Sequence, residues 1–472
     1  MASLQFLLNG ELRIESAVSP SMTVLDYLRG IARFTGTKEG CAEGDCGACT
    51  VAIADAHDEA AHYRAVNSCL MSVAQLDGCS LLTVEGLSRD GALHPVQRAL
   101  IDADATQCGF CTPGFVMTMF AFAHGGEPAD DTTIHEALAG NLCRCTGYRP
   151  IVEACRQVAG LPNDAADERH PAAQPHPCED YRAGDQHWFL PRSLPALTTL
   201  RVQHPHAIIL GGGTDLGLLL SKERKTLPGV ILTSRVSEMK KISAGDGALS
   251  LGGAVTYSEA LPHLDRHFPA FAALVRRIGS RQIRNLGTFA GNLATASPIG
   301  DTTPCLIALG ASVALHSDTK SRTLPVEDFI TGYRKTALQP DEIIAAIRIP
   351  FLPEGDQFAA YKLSKRFDQD ISTVVAAFRL RTKDGIVHAL RLVYGGMAAT
   401  TARAHAVEAA LTGQPWAASS LAGIGALMTR DFKPMTDQRG SGAYRLDAAA
   451  NLLRRFQIET TQPAALTRVD AL

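Results

Sequence analysis

Two short runs, Leu4 to Leu8 and Glu11 to Glu15, flank Asn9-Gly10, a pair suited to the positive φ of a type I′ turn, and predict a β-hairpin. Thr23 then caps a helical pattern that puts Val24, Leu25, Leu28 and Ile31 on one face. A loop with Gly36, Gly40, Gly44 and Gly47 follows, and Val51 to Ala54 and Ser80 to Val84 read as further strands. Residues 1–84 are thus expected to form a small β-grasp module. From about residue 91 the period becomes helical. The spacing predicts helices over Pro95 to Ile101, from an N-cap at Thr112 with Pro113 first in the helix, from Thr133 with a Thr-x-x-Glu capping box to Glu136, and from near Pro150. Residues 85–160 are therefore expected to be all-helical.

Prolines 162, 171, 175 and 177 interrupt a stretch without either period, so a linker is expected over 161–181, its aperiodic character running on to about 185. Short apolar strands at Ala207 to Leu210, Val230 to Leu232 and Leu249 to Leu251, with a helix over Pro269 to Ile278, make 182–355 a mixed or α/β domain. Longer strands, Ser372 to Arg381 and Ile386 to Tyr394, surround the turn signal Asp384-Gly385, and Ala-rich helices follow at about 402–411, 416–428 and 444–456. Residues 356–472 are expected to form a smaller α+β domain, so the whole is a multidomain α+β protein.

Size and composition agree: 472 residues exceed what one core supports, and 46% apolar with 20% charged residues lies in the globular range. A formal charge of −3 offers no polyelectrolyte character, so no nucleic-acid partner is expected. No apolar stretch approaches the roughly 18 residues of a membrane span, and the first residues lack the features of a secretion signal, so a cytoplasmic location is expected. Eight of twelve cysteines fall in two tight sets, which in a reducing compartment points to ligands rather than disulfides.

Cys41, Cys46, Cys49 and Cys69 read C-x4-C-x2-C-x19-C, the spacing of plant-type [2Fe–2S] ligation. The intervening glycines suit a loop whose amides approach sulfur closely. Zinc is the rival, but zinc prefers two short C-x2-C knuckles, and here three ligands share one loop. Cys108, Cys111, Cys143 and Cys145 form a second set, C-x2-C-x31-C-x-C, each pair lying shortly before a predicted helix start. On spacing alone zinc remains an alternative for this set.

The motifs Cys-x4-Cys-Gly-x-Cys, Gln-Cys-Gly-Phe-Cys-Thr-Pro-Gly and Cys-Arg-Cys-Thr-Gly-Tyr resemble the iron–sulfur half of the xanthine dehydrogenase and aldehyde oxidase family, the molybdenum hydroxylases. The resemblance implies a plant-type ferredoxin-like fold, a four-helix domain with a second [2Fe–2S] cluster, and Gln107 facing a partner's pterin. Ile209-Leu210-Gly211-Gly212-Gly213-Thr214-Asp215-Leu216 is by itself a tight turn after a strand, and it fits no G-x-G-x-x-G or P-loop pattern. With Thr288-Phe289-Ala290-Gly291-Asn292, Asp301 and the Tyr361 to Ser372 segment, it resembles the FAD-binding domain and the CO dehydrogenase flavoprotein-like C-terminal domain of the same family.

The resemblance then implies that residues 209–216 and 288–292 bind the FAD diphosphate and ribose, Asp301 the adenosine side and Lys362 the isoalloxazine, with Ile344 packed nearby and Ile278 where mammalian members carry Phe. Without the resemblance, Lys362, Arg366 and Asp370 read as solvated charges at a strand end. The domain order resembles the small subunit of bacterial xanthine dehydrogenases. That implies a molybdopterin-binding large subunit in a heterotetramer of two small and two large chains, oxidation of hypoxanthine and xanthine to urate at the partner's molybdenum, and electron passage through two [2Fe–2S] clusters and FAD to NAD+. No catalytic residue is expected in this chain. The alternative within the family is an equivalent subunit acting on an aldehyde, a nicotinate-like heterocycle or carbon monoxide. The spacings of His94, His135, His170, His176 and His187 match no ligand template, and Cys79, Cys155, Cys178 and Cys305 read as incidental.

Overall fold

The computed structural model describes residues 2–56, 62–88, 90–159, 174–462 and 467, arranged as two compact units. The first comprises residues 1–237 with 279–287, the second residues 238–278 with 288–472.

The first unit begins with strands β1 (Leu4–Leu8) and β2 (Glu11–Glu15), paired antiparallel about Asn9 and Gly10, both at positive φ as the expected turn demands. With β3 (Thr50–Asp55), β4 (Arg64–Asn67) and β5 (Cys79–Leu82) they form a five-stranded sheet of order β2-β1-β5-β3-β4, in which β1 and β5 run parallel. β4 was not anticipated. Thr23 caps Val24–Asp26 as expected, but the helix continues as a π turn over Tyr27–Ile31, closed by the Ala32 N–H on the Tyr27 carbonyl.

Four helices follow: Pro95–Asp102, Thr112–His124, Asp131–Leu138 and Arg149–Val158. Two expected caps move. The cap of the second helix is Cys111, because the Thr112 hydroxyl is engaged by Thr106 Oγ1 at 2.7 Å. The third is capped by Asp130, whose carboxylate accepts the Thr133 N–H at 3.0 Å, while Glu136, the expected box partner, reaches Arg284 at 2.8 Å.

The linker reading also needs correction at its end. Residues 160–173 lie outside the described residues, but Asp180–Ala183 is a strand, β6, paired with β7 (Gln186–Phe189). Tyr181 holds it there: the ring is fully buried and its hydroxyl donates to the Val18 carbonyl at 2.8 Å. With β8 (Ile208–Leu210) and β9 (Gly229–Leu232) these strands form a sheet of order β6-β7-β9-β8, β9 running parallel to both neighbours. Trp188 on β7 is fully buried with its indole N–H on the Leu227 carbonyl, so its polar atom is satisfied inside a core shared with the first sheet.

The second unit holds β10 (Ile242–Gly245), β11 (Ala248–Gly252), β12 (Ser312–His316), β13 (Ser321–Pro325), the small pair β14 (Ile330–Gly332) and β15 (Lys335–Thr336), and β16 (Ile343–Pro350). β10-β11-β16-β12-β13 is an antiparallel sheet. A second antiparallel sheet, β17-β18-β19-β20, uses Asp356–Leu363, Val374–Lys383, Ile386–Gly395 and Ala402–Arg403. The helix Thr302–Leu309 buries all its residues, as its nearly uniform apolar surface requires, and shares a core with Val375, Ala377 and Val393 of that sheet. The other face packs on the helices His405–Leu411, Ile424–Asp431 and Gly442–Thr461. Two helical readings shorten here, because 402–403 pairs as β20 and the left-handed Gly423 separates a 3-10 turn from the helix after it.

Candidate electron-transfer site

The eight clustered thiols do not gather as single-ion sites. Among the described residues no three His, Cys, Asp or Glu side chains could hold one metal ion. They form pairs: Cys41 with Cys46, Cys49 with Cys69, Cys108 with Cys145 at 3.5 Å, and Cys111 with Cys143. Two pairs per set is what a binuclear cluster requires, two thiolates for each iron, whereas tetrahedral zinc needs all four sulfurs around one point. The zinc alternative for the second set therefore gives way to the donor geometry.

The loop around the first set is built for thiolates. The N–H groups of Glu43, Asp45 and Cys46 point at Cys41 Sγ at 3.3–3.4 Å, and the Cys41 N–H points at Cys46 Sγ at 3.3 Å. Within each pair the thiols split: Cys46 brings Cys41 down to about 5 and is itself pushed up, and Cys69 lowers Cys49 and is itself pushed up. Ala42, Gly44 and Gly47 take positive φ. At Gly47 a Cβ would come within 2.2 Å of the Gly140 carbonyl, so both conformation and space demand glycine there. Cys49 and Cys69 are buried beside Leu25 and Leu70.

The second set is more open. Cys108 and Cys145 are exposed, and Cys111 and Cys143 half-buried. Cys111 precedes one helix, and Tyr148, at φ 68°, precedes the other while its hydroxyl accepts the Cys143 N–H at 3.0 Å. The Thr146 hydroxyl donates to Cys143 Sγ at 3.2 Å. Gln107 is exposed.

The residues expected to bind flavin fall in both units. In the first, β8 ends in Gly211-Gly212-Gly213, and Gly213 is at φ 80°. A Cβ on Gly212 would lie 1.8 Å from the Leu286 carbonyl, so that backbone sits hard against its neighbour. Ile209 and residues 211–214 and 216 are partly exposed and Asp215 exposed, whereas Leu210 is buried.

In the second unit, Thr288 caps the helix Phe289–Thr295 by accepting the Gly291 N–H at 3.0 Å; Phe289 and Ala290 are buried, Gly291 is exposed and Asn292 half-buried. Ile344 is buried and Ile278 half-buried in one apolar cluster.

Lys362 is not solvated. Its ammonium is buried and donates to Asp301 Oδ2 at 2.6 Å and to the Arg277 carbonyl at 2.9 Å, while Ser372 donates to Asp301 Oδ1. Lys362 and Asp301 thus meet at one point, although the resemblance assigned them to opposite parts of the cofactor. Arg366 is exposed, as a solvated strand end would be, whereas Asp370 is half-buried and its carboxylate accepts the Arg366 N–H at 2.8 Å. Sequence reasoning missed Arg277, which donates to the Lys362 carbonyl at 2.9 Å and lies 4.5 Å over the Phe367 ring.

Comparison with known proteins agrees along the chain. Residues 6–74 match the 2Fe-2S iron-sulfur cluster binding domain, 83–156 the [2Fe-2S] binding domain, 181–352 the FAD binding domain in molybdopterin dehydrogenase, and 359–460 the CO dehydrogenase flavoprotein C-terminal domain. The protein is an iron–sulfur flavoprotein with two [2Fe–2S]-binding domains and an FAD-binding domain, and it belongs to the molybdenum hydroxylase family.

Among its relatives is the xanthine dehydrogenase of Emericella nidulans, 32% identical over 96% of this chain and 38% of that protein. The xanthine dehydrogenase/oxidase of Gallus gallus is 31% identical over 88% of this chain and 36% of its own length. The chain spans well under half the length of these curated relatives. Carbon monoxide dehydrogenase from Hydrogenophaga pseudoflava is similar in structure, with a TM-score of 0.54 at 26% identity, covering 57% of this chain and 94% of the other.

Proposed function

We propose that the chain is the electron-transfer subunit of a xanthine dehydrogenase, serving a molybdopterin-binding large subunit that oxidises hypoxanthine and xanthine to urate, with NAD+ as final acceptor. The observation carrying this reading is the similarity to xanthine dehydrogenases over nearly the whole chain, both iron–sulfur domains and the flavin domains included. A heterotetramer of two small and two large chains in the cytoplasm completes the reading. No described helix is long and apolar enough to cross a membrane.

When bound, each [2Fe–2S] cluster carries one electron and the flavin two, which it can pass on as hydride. The chain's own residues hold and tune these groups. Cys41, Cys46, Cys49 and Cys69 would ligate one cluster, and Cys108, Cys111, Cys143 and Cys145 the other. The exposed second set, with Gln107 beside it, suits the side turned to the molybdenum partner, and the more enclosed first set suits the flavin side. Residues 209–216 and 288–292 would serve the FAD diphosphate and ribose, Asp301 the adenosine side and Lys362 the isoalloxazine, with Ile344 and Ile278 packed nearby.

A second reading, an equivalent subunit acting on another substrate, is favoured by the structural similarity to carbon monoxide dehydrogenase. Steady-state assays of the co-purified complex with xanthine, an aldehyde, nicotinate and carbon monoxide, each with and without NAD+, separate the two. Xanthine turnover coupled to NAD+ reduction is expected to dominate. Turnover confined to another substrate would replace this reading with the second.

A further inference from the structure

Residues 279–287 lie within the stretch matching the FAD-binding domain, yet they fold into the first unit with both iron–sulfur domains. Gln282, on the short helix Arg281–Arg284, is fully buried there. Its amide nitrogen lies 2.9 Å from Asn141 Oδ1, 3.1 Å from Thr118 Oγ1 and 3.4 Å from Thr50 Oγ1. Thr118 belongs to the helix that starts after Cys111, Asn141 stands two residues before Cys143, and Thr50 follows Cys49. The network continues: Thr118 donates to Asn141 Oδ1 at 2.7 Å, and Asn141 Nδ2 donates to the Gly47 carbonyl inside the first ligand loop at 3.1 Å. Beside it, the Leu142 N–H donates to the Cys46 carbonyl at 3.0 Å. That bond ties a ligand of one cluster to the residue preceding a ligand of the other.

Around Gln282 the same segment grips both domains. Arg284 pairs with Glu136 at 2.8 Å, Arg281 bonds Glu127, and Asn285 Nδ2 donates to the Ala65 carbonyl at 2.8 Å. Packing leaves little freedom: a Cβ on Gly114 would lie 2.3 Å from the Gly47 carbonyl, and one on Gly140 would lie 2.0 Å from Gln282 Oε1. Gln282 is held through its amide nitrogen, since Gln282 Oε1 is buried without a hydrogen-bond partner among the described residues, and buried hydrogen bonds of this kind specify an arrangement more sharply than apolar packing of the same volume.

We propose that Gln282, acting through Asn141 and Thr118, is a positioning residue that sets the separation and orientation of the two [2Fe–2S] centres and keeps the Cys46–Leu142 hydrogen bond between the two ligand loops in place. The inference rests on both thiol sets carrying clusters. Gln282 touches none of the ligand sulfurs, so its removal should leave each cluster assembled and alter only their mutual geometry.

The test is low-temperature EPR of the dithionite-reduced holoprotein, where interaction between two nearby paramagnetic clusters splits their signals. Gln282→Met keeps the side-chain length and removes the donor; Gln282→Ala removes both. Thr23→Ala, which weakens a helix cap in the first domain away from this junction, controls for lost stability. Gln282→Met is expected to retain full iron loading and both individual signals, to lose or change the splitting, and to slow electron transfer from the second cluster to the first after rapid mixing with dithionite. Thr23→Ala is expected to leave the splitting unchanged. Splitting in Gln282→Met and Gln282→Ala identical to the parent protein, at full iron loading, would overturn the proposal. Loss of the iron itself from Gln282→Met would also overturn it, by showing a role in assembly; absence of clusters from the parent protein would instead refute the cluster reading on which it stands.

Discussion

Replacing Lys362 by Met would leave the Asp301 carboxylate, among the described residues, with only the Ser372 hydroxyl and no cation at its former 2.6 Å contact. The Lys362 side chain is 2% exposed and that of Asp301 10%, so little water would repair the loss. Removing one member of such a buried pair costs about 3–5 kcal/mol, because the remaining charge keeps its desolvation penalty. For a unit the size of the second one, with about 2–4 °C in Tm per kcal/mol, that is a fall of about 6–20 °C in its unfolding transition. Calorimetry of flavin-free protein reads this directly, without added stabilisation from ligand binding. The double variant Lys362→Met/Asp301→Asn removes both charges and should regain at least about 2 kcal/mol relative to Lys362→Met, since neutral replacement of a buried pair is often nearly free. A loss below about 1 kcal/mol in Lys362→Met, or no recovery in the double variant, would refute the buried pair and return Lys362 to the solvated strand end that its local sequence suggests.

Three further outcomes are expected. Burial pushes the Asp77 carboxyl up to about 6, although the Gln5 and Cys178 N–H groups donate to it. Its folded pKa lies above the unfolded value of about 3.9, so its contribution is fully present below pH 4 and about 3 kcal/mol is lost as pH rises through 6; urea titrations of Asp77→Asn should show that slope removed. Cys69→Ser should halve the iron content and abolish one EPR species while the signal of the second set persists, a result that shared ligation would not give. Thr256, whose side chain accepts the Glu259 N–H while Glu259 answers in a capping box, should cost about 1 kcal/mol when replaced by Ala, with no change in the iron–sulfur spectra.

Local chemistry made much of this molecule legible. Asn9-Gly10 and Asp384-Gly385 announced their hairpins because positive φ at both positions restricts the residue types allowed. The two thiol sets stood out because a cluster-binding loop confines its cysteines to a short, fixed spacing. What escaped was set by distant partners. Lys362 meets Asp301 from 61 residues away, and Gln282 meets Asn141 from 141 away, with no periodicity to announce either. Tyr181 turned an apparent linker end into a strand because its ring had a core to enter, supplied in part by Val18 and Leu210. Glu136 illustrates the opposite failure: a local capping signal was present, but Asp130 took the cap and Arg284 took the carboxylate.

The most direct test of the whole account is iron and flavin analysis of the purified protein combined with EPR after dithionite reduction. Paired thiols in both sets predict four iron atoms per chain, no stoichiometric zinc, and two distinguishable binuclear iron–sulfur signals, and the FAD-binding domain predicts one FAD. Two iron atoms with a single signal, or zinc in either set, would contradict it.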